Sequence, residues 1–398
     1  MNQFQSVAMK EGHSKWNEAI SRSTELYHRN NDIRSEFARD YTRILHSLAF
    51  RRLKHKTQVF FNTHNDHICT RMEHVAHVES VSYTVANALG LNCELTRAIA
   101  MGHDLGHAPF GHSGEKIIGA IKSRYLPQQA FWHEKNGLRM VDSIELLQSP
   151  DRKNMNMDLT YAVRDGIISH CGEVNDAVLY PRNEAVDLTT IAQPGKIQPY
   201  TWEGCVVKIA DKIAYLGRDI EDALQLKIIT IKDMKDLGHL ALKYKHASLN
   251  TSVIMHDFIT DIVENSAIDK GICLSEGRAE LMSEVKDFNI RKIYSSERLE
   301  YFVQYSKLVL ESIFSALLEL YLGETTLENL YSSCNKGDCL YKGFFDYIIK
   351  YCEEDYIGEI VPESIRDNRL SKSCTYDNQK IYRRLETREL YIQAILII

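Results

Sequence analysis

Apolar residues in this chain recur at three- and four-residue steps and almost nowhere alternate, which restricts it to a helical fold. Val75, Val78, Val81, Val85 and Leu89 lie on one face of a helix. Gly90 is placed to end that helix, and Asn92 to cap the next, which carries Leu95, Ile99 and Ala100 towards His103. A longer helix is expected over about 206–226, with Ile209, Ala210, Ile213, Leu216, Ile220 and Leu224 inward. Another is expected over about 296–322, with Phe302, Leu308, Leu310, Ile313, Leu317 and Leu320 inward. Between them, 178–201 holds Pro181, Asn183, Pro194, Gly195 and Pro199 and reads as an irregular excursion. The expected fold class is all-α: an N-terminal helical extension over 1–34, a core over 35–235 and a C-terminal helical region over 236–398.

Composition narrows the class of function. A net charge of −6 shows none of the basic excess of a dedicated nucleic-acid-binding chain, although a local positive cluster can still hold an anion. The 9 cysteines are odd in number and scattered, which excludes a disulfide framework. Cys334 and Cys339 are near neighbours, but no second pair completes a zinc motif. Reduced thiols and a cytoplasmic location are the expectation. The N-terminus lacks an apolar leader, and no run is long enough to span a membrane. Ala394 to Ile398 is apolar but short and is expected as a buried or interface end of a helix or strand.

Chemistry concentrates in His103-Asp104-Leu105-Gly106-His107-Ala108-Pro109-Phe110-Gly111-His112-Ser113-Gly114-Glu115. Adjacent His and Asp at a helix end offer a nitrogen and an oxygen to one point, and Gly106 is expected to let the chain turn tightly. Mixed N/O ligation suits a borderline divalent metal. Two ligands hold an ion poorly, so others are needed. His74 sits on a helix with Arg71 three residues earlier, on the same face. Asp211, Tyr215, Arg218 and Asp219 form a polar stripe on an otherwise apolar helix, with Lys208 one turn before, and this pattern suits a lined cavity. A single histidine is more often structural than ligating, and His77 could compete with His74. The combination of His74, His103-Asp104 and Asp211 is far more specific than any member.

These residues resemble the HD-domain deoxyguanosinetriphosphate triphosphohydrolase-like family. The resemblance runs through 38–47, 50–60, Thr70-Arg71-Met72-Glu73-His74, the 102–115 segment, Trp132-His133-Glu134-Lys135-Asn136 and Asp211-Lys212-Ile213-Ala214-Tyr215. It implies an HD-domain helical core in which His74, His103, Asp104 and Asp211 bind one divalent metal (Mn, Mg, Fe, Co, Ni or Zn), with a second Mg accompanying the triphosphate. It places His112 and Glu115 beside the reacting phosphorus, with His133 and Glu134 close by. Arg71 and Lys212, with Arg52 and His107, would meet the phosphates. Gln58, Tyr215 and Asp219 would read the sugar. The implied reaction is water attack at the α-phosphorus of a dNTP, releasing triphosphate. Homo-oligomers and regulation by nucleotides or single-stranded nucleic acid are implied partners. His77 departs from the family's pattern, where a Glu is expected, and no block after about Lys235 matches.

The residue types suit the task. Positioned cations stabilise charge on phosphoryl oxygens, and Arg51, Arg52, Lys54 and Lys56 offer a basic approach. An imidazole such as His112 titrates near pH ~6.5 and can move a proton near neutrality, with Glu115 to orient it. The competing readings are an HD-domain nucleotidase or phosphodiesterase, whose two-metal form would need extra bridging histidines in a context that His133 and His170 do not show, and a non-catalytic nucleotide- or nucleic-acid-binding protein.

Overall fold

Ser35 opens the first long helix, α1 (Glu36–His46), its hydroxyl accepting the Ala38 N–H, and Ser47 does the same for the short α2 (Leu48–Arg52). These belong to a computed structural model that describes residues 3–24, 31–60, 65–150, 154–171, 178–246, 248–334, 338–352, 354–360, 385 and 387–396. Helix α3 (Arg71–Leu89) begins in a capping box: Thr70 accepts the Glu73 N–H, and the Glu73 carboxylate accepts the Thr70 N–H at 2.7 Å. It ends at Gly90 (φ 82°), whose N–H returns to the carbonyls of Ala86 and Asn87. Val75, Val78, Val81, Val85 and Leu89 are all buried, as their spacing predicts. Each such side chain stabilises the fold by about 1.5–3 kcal/mol relative to an exposed one. Asn92 caps α4 (Cys93–Gly102) through the N–H groups of Glu94 and Leu95, and α4 delivers His103 at its end.

The chain continues through α5 (Gly111–Tyr125), α6 (His133–Arg139), α7 (Tyr161–Ser169) and α8 (Trp202–Gln225). Helices α3, α4 and α8 pack against one another; α1 and α7 also pack on α4, and α6 lies on α7. The class is all-α, as expected. The only strands among the described residues are two antiparallel pairs, β1 (Leu147–Gln148) with β2 (Asn154–Met155) and β3 (Val178–Leu179) with β4 (Ile272–Cys273). The second pair ties the irregular 178–201 excursion to the C-terminal half.

That half holds α9 (Ile231–Lys243), α10 (Thr251–Asn265), α11 (Glu276–Asn289), α12 (Glu297–Leu318), α13 (Thr326–Cys334), α14 (Cys339–Ile348) and α15 (Arg388–Ile395). It is continuous with the core: α10 packs on both α3 and α8, and α12 on α5 and α15. Among the described residues no helix is long and apolar enough to cross a membrane, and every described cysteine is a free thiol. Ile395 and Leu396 are a buried helix end.

Three local expectations change. The described part of the N-terminal segment is mostly turns around one short helix, Trp16–Ala19, because its backbone is claimed by distant partners: Phe4 N–H donates to Leu89 O and Met9 N–H to the Glu203 carboxylate. Leu308, expected inward, is 65% exposed, while Phe314 and Leu317 on the same helix are buried. Periodicity marks an apolar face, but the helix is covered unevenly: Ser306, Phe314 and Leu317 are buried, with Phe314 against Tyr125, while Leu308 is not. Leu224, at the end of α8, also lies outward.

Gly106 lies in a tight turn, as expected, with the His107 N–H donating to Asp104 O at 3.2 Å, but it does so without a left-handed φ. The left-handed residues are Phe110 (φ 63°) and Gly111 (φ 56°), where the chain enters α5. Gly106 also lets the loop after His103 touch the backbone of α6: a Cβ there would lie 2.0 Å from Gly137 N and 2.1 Å from His133 O. Backbone cannot yield as a side chain can. Gly106→Ala is therefore expected to lower stability by about 2 kcal/mol or more, within the usual cost of overpacking. A shift of the urea midpoint at unchanged slope measures it.

Candidate metal centre

Three helices bring four donors to one point. His74 stands on the first turn of α3, His103 and Asp104 follow α4, and Asp211 lies mid-way along α8. His74 Nε2 is 2.9 Å from Asp211 Oδ1 and 3.4 Å from His103 Nε2. His103 Nε2 is 3.6 Å from Asp104 Oδ1 and 3.8 Å from Asp211 Oδ1. Ligands that each stand about 2.0–2.2 Å from a common ion have such separations. His103 Nδ1 is 2.6 Å from Ala100 O, so its proton is held there and Nε2 carries the lone pair. Arg71, itself buried, donates to Asp104 Oδ2 at 2.8 Å, which turns Oδ1 to the cluster. Two imidazole nitrogens and two carboxylates make a donor set for a borderline divalent ion. The residues fit a metal.

The charges are arranged to keep both acids ionised. Burial would raise Asp104, but His107, Arg71 and His103 hold it well below the usual carboxylate range. Burial likewise opposes Asp211, and the hydrogen bond and charge of His74 hold it low. Burial disfavours protonated His74, yet Asp211 beside it raises its pKa above the ordinary histidine value. His77, the possible competitor, is outside this cluster, and its buried Nδ1 has no hydrogen-bond partner among the described residues.

A second cluster adjoins the first. His107 Nε2 is 3.2 Å from Asp104 Oδ1, and its ring stacks on His133 at 3.9 Å. Burial and the nearby Arg71 hold His107 well below its usual pKa, hence neutral. Glu115 on α5 joins two imidazoles: it lies 3.3 Å from His112 Nδ1 and 3.2 Å from His133 Nδ1 and accepts the His133 backbone N–H at 2.9 Å. Burial opposes its charge, but those bonds keep the carboxylate strongly ionised. Burial also opposes protonated His133, and Glu115 and Glu134 outweigh it. The His112 side chain is 69% exposed, so the pair opens to solvent. Burial raises the Glu134 pKa, and its carboxylate lies 3.4 Å from His133 Nδ1.

Other expected residues scatter more widely around the centre. Gln58 accepts from Arg71 through its backbone oxygen, and its buried Oε1 has no hydrogen-bond partner among the described residues. Arg52 is half-exposed and pairs with Glu145 at 3.7 Å, outside the donor cluster. Lys56 donates to His107 O, and burial with the charges of Arg52 and Arg71 lowers its pKa to about 8. Lys212 and Tyr215 line a cavity of about 200 Å³ with Ile209, Leu274, Met282 and Lys286, so α8 and α11 share its wall. The rest of the stripe on α8 divides: Arg218 turns to Asp222 and the carbonyl of His67, and Lys208 to Gln198. Asp219 faces inward and accepts the Tyr294 hydroxyl at 2.5 Å. Sequence reasoning gave no role to Tyr294, which follows α11 in a stretch with no distinguishing motif. It assigned no place to Cys171 either, and both Cys171 and His170 border the His133 side of the centre.

Comparison with known proteins fits this geometry. The HD domain family matches residues 71–216, which contain all four donors. A deoxyguanosinetriphosphate triphosphohydrolase-like protein of Caldanaerobacter subterraneus subsp. tengcongensis is 37% identical over 284 residues, 71% of this chain and 72% of the relative. The chain belongs to this family. Further deoxyguanosinetriphosphate triphosphohydrolase-like members, from Clostridium tetani and Clostridium perfringens, are 33% and 32% identical over 80% and 84% of the chain and 82% and 89% of their own lengths. In this family member the shared region runs past the HD segment into the C-terminal helices.

Burial raises the Asp219 carboxyl to about 7, against the Tyr294 hydroxyl bond. Its folded pKa therefore exceeds its unfolded one. The native state binds the proton more tightly, so this group lowers stability as pH rises from about 4 to about 7, by at most about 1.4 kcal/mol per pH unit. Asp219→Asn should flatten that decline in the metal-free protein. Melting temperatures of both proteins across this window check it; parallel curves would show that the carboxyl titrates normally.

Proposed function

We propose that this chain hydrolyses deoxynucleoside triphosphates to a deoxynucleoside and triphosphate, by water attack at the α-phosphorus. The observation that carries the reading is the contact between the two clusters: Asp104, a donor of the metal centre, touches His107, whose ring stacks on the Glu115-bound His133. A phosphorus held at the metal is thus next to groups able to move protons. The names of the relatives support the substrate class.

His74, His103, Asp104 and Asp211 would hold the ion, which supplies positive charge to an α-phosphate oxygen and makes a bound water more acidic. His112 and Glu115 form the proton-transfer pair, with His133 and Glu134 assisting on the leaving side. Arg71 fixes Asp104 and adds positive charge near the phosphates, with Lys212, Arg52 and His107 around them. A magnesium ion carried by the triphosphate would offset more of its charge. Tyr215, Asp219 and Gln58 would meet the sugar. A neutral Asp219 near pH 7 could donate a hydrogen bond to a sugar hydroxyl.

Incubation with each of the four dNTPs and four NTPs, with Mn or Mg, should release triphosphate from dNTPs. Pyrophosphate or single phosphates as the only products would instead indicate a different HD-domain phosphohydrolase. His112→Ala and Glu115→Ala should each lose at least about 100-fold in kcat, the usual scale of acid–base catalysis, while keeping the metal. Asp211→Asn should lose turnover together with manganese affinity at this centre. Metal analysis alongside steady-state kinetics separates the two classes of variant.

A further inference from the structure

Next to the four-donor centre stands a group of ligand-type atoms, of which the proposed reaction gives no role to His170 or Cys171. His170 closes α7 with its ring buried and its Nδ1 2.7 Å from Ile167 O. That bond holds the proton on Nδ1 and leaves Nε2 with the lone pair. Nε2 is buried and has no hydrogen-bond partner among the described residues, which a purely structural histidine would avoid. His133 repeats the arrangement: Nδ1 lies 3.2 Å from Glu115, and Nε2 lies 3.4 Å from Cys171 Sγ. One ligand atom from each of His133, His170 and Cys171 falls within 4.8 Å of the others. The His170 ring is 5.0 Å from that of His103 and 5.6 Å from that of His133, so the group borders the first centre.

Imidazoles whose outer nitrogen is anchored by a carboxylate or a carbonyl are the form in which histidine binds metals. A sulfur beside them makes a softer donor set than the two imidazoles and two carboxylates next door. We infer that His133, His170 and Cys171 form a second cation site, separate from the His74/His103/Asp104/Asp211 centre, that takes a thiophilic divalent ion such as zinc or cobalt(II). Glu134, hydrogen-bonded to the Cys171 thiol, is placed to supply a fourth ligand. Binding forms two nitrogen–metal bonds and one sulfur–metal bond and releases the thiol proton to water; no electron is transferred. With the ion in place, His133 Nε2 is no longer free to exchange a proton, and proton transfer rests on His112 and Glu115. The site does not depend on which nucleotide is hydrolysed.

The test is cobalt(II) titration of the full chain after removal of metal by a chelator, followed by absorbance and metal analysis. Two equivalents should bind, with a thiolate-to-cobalt charge-transfer band in the near ultraviolet. Cys171→Ser should lose the band and one equivalent, and His170→Gln should lose one equivalent. Asp211→Asn should keep the band while weakening the other site. Melting curves of the metal-free variants establish that they fold, and either of the first two variants alone suffices for the comparison. A single equivalent in the unsubstituted protein, or a band that survives Cys171→Ser, would overturn the proposal. Two bound equivalents without triphosphate release would remove only the dNTP reading, and triphosphate release with one equivalent would remove only this site.

Discussion

Two carboxylates that face the same pair of imidazoles repel each other unless positive charge is built in around them, and this requirement organises the centre of the molecule. Asp104 and Asp211 come from separate helices and meet where His74 and His103 also point. Arg71, with almost no exposed surface, takes one oxygen of Asp104 and leaves the other for the cluster. Removing the cation would leave a charge unpaired in a low-dielectric interior, a loss of about 3–5 kcal/mol in comparable buried pairs. Helices α3, α4 and α8 thus meet at an electrostatic requirement as well as at an apolar interface.

The same economy of contacts links the ion site to the proton-handling groups. Asp104 is shared by Arg71, His103 and His107, and Glu115 by His112 and His133. Each carboxylate is oriented by more than one partner, which restricts the imidazoles to particular tautomers and directions. Burial and Arg71 keep His107 neutral while Glu115 favours protonated His133, so stacked rings of the same type differ in charge preference. Neighbouring groups with divergent pKa values are the condition for dividing acid and base work within one site.

Much of this was readable from the chain alone. The four donors sit on helices that periodicity and capping define, and mixed nitrogen and oxygen ligation demanded partners for His103-Asp104 beyond the dipeptide. What stayed hidden depends on packing partners. A glycine in sequence can announce a turn but not a close approach, and at Gly106 the decisive neighbour is Gly137, thirty-one residues on. The apolar spacing of Leu308 is real, but nothing local tells which part of α12 is covered. His170 carries no motif; its interest comes from an unpaired nitrogen facing Cys171 and His133, a tertiary fact. Tyr294 reaches Asp219 from a helix that follows no recognisable block.

Helix α8 runs nine residues beyond the matched HD segment, from 216 to Gln225, without a break. On that overhang Gly217 sits so close to Thr251 that a Cβ would come within 2.7 Å of its Cα, and Asp219 is capped by Tyr294. The edge recognised by similarity is therefore not a mechanical seam. Asp211, mid-way along this rod of helix, and the stretch held by the C-terminal helices beyond it belong to one unbroken element.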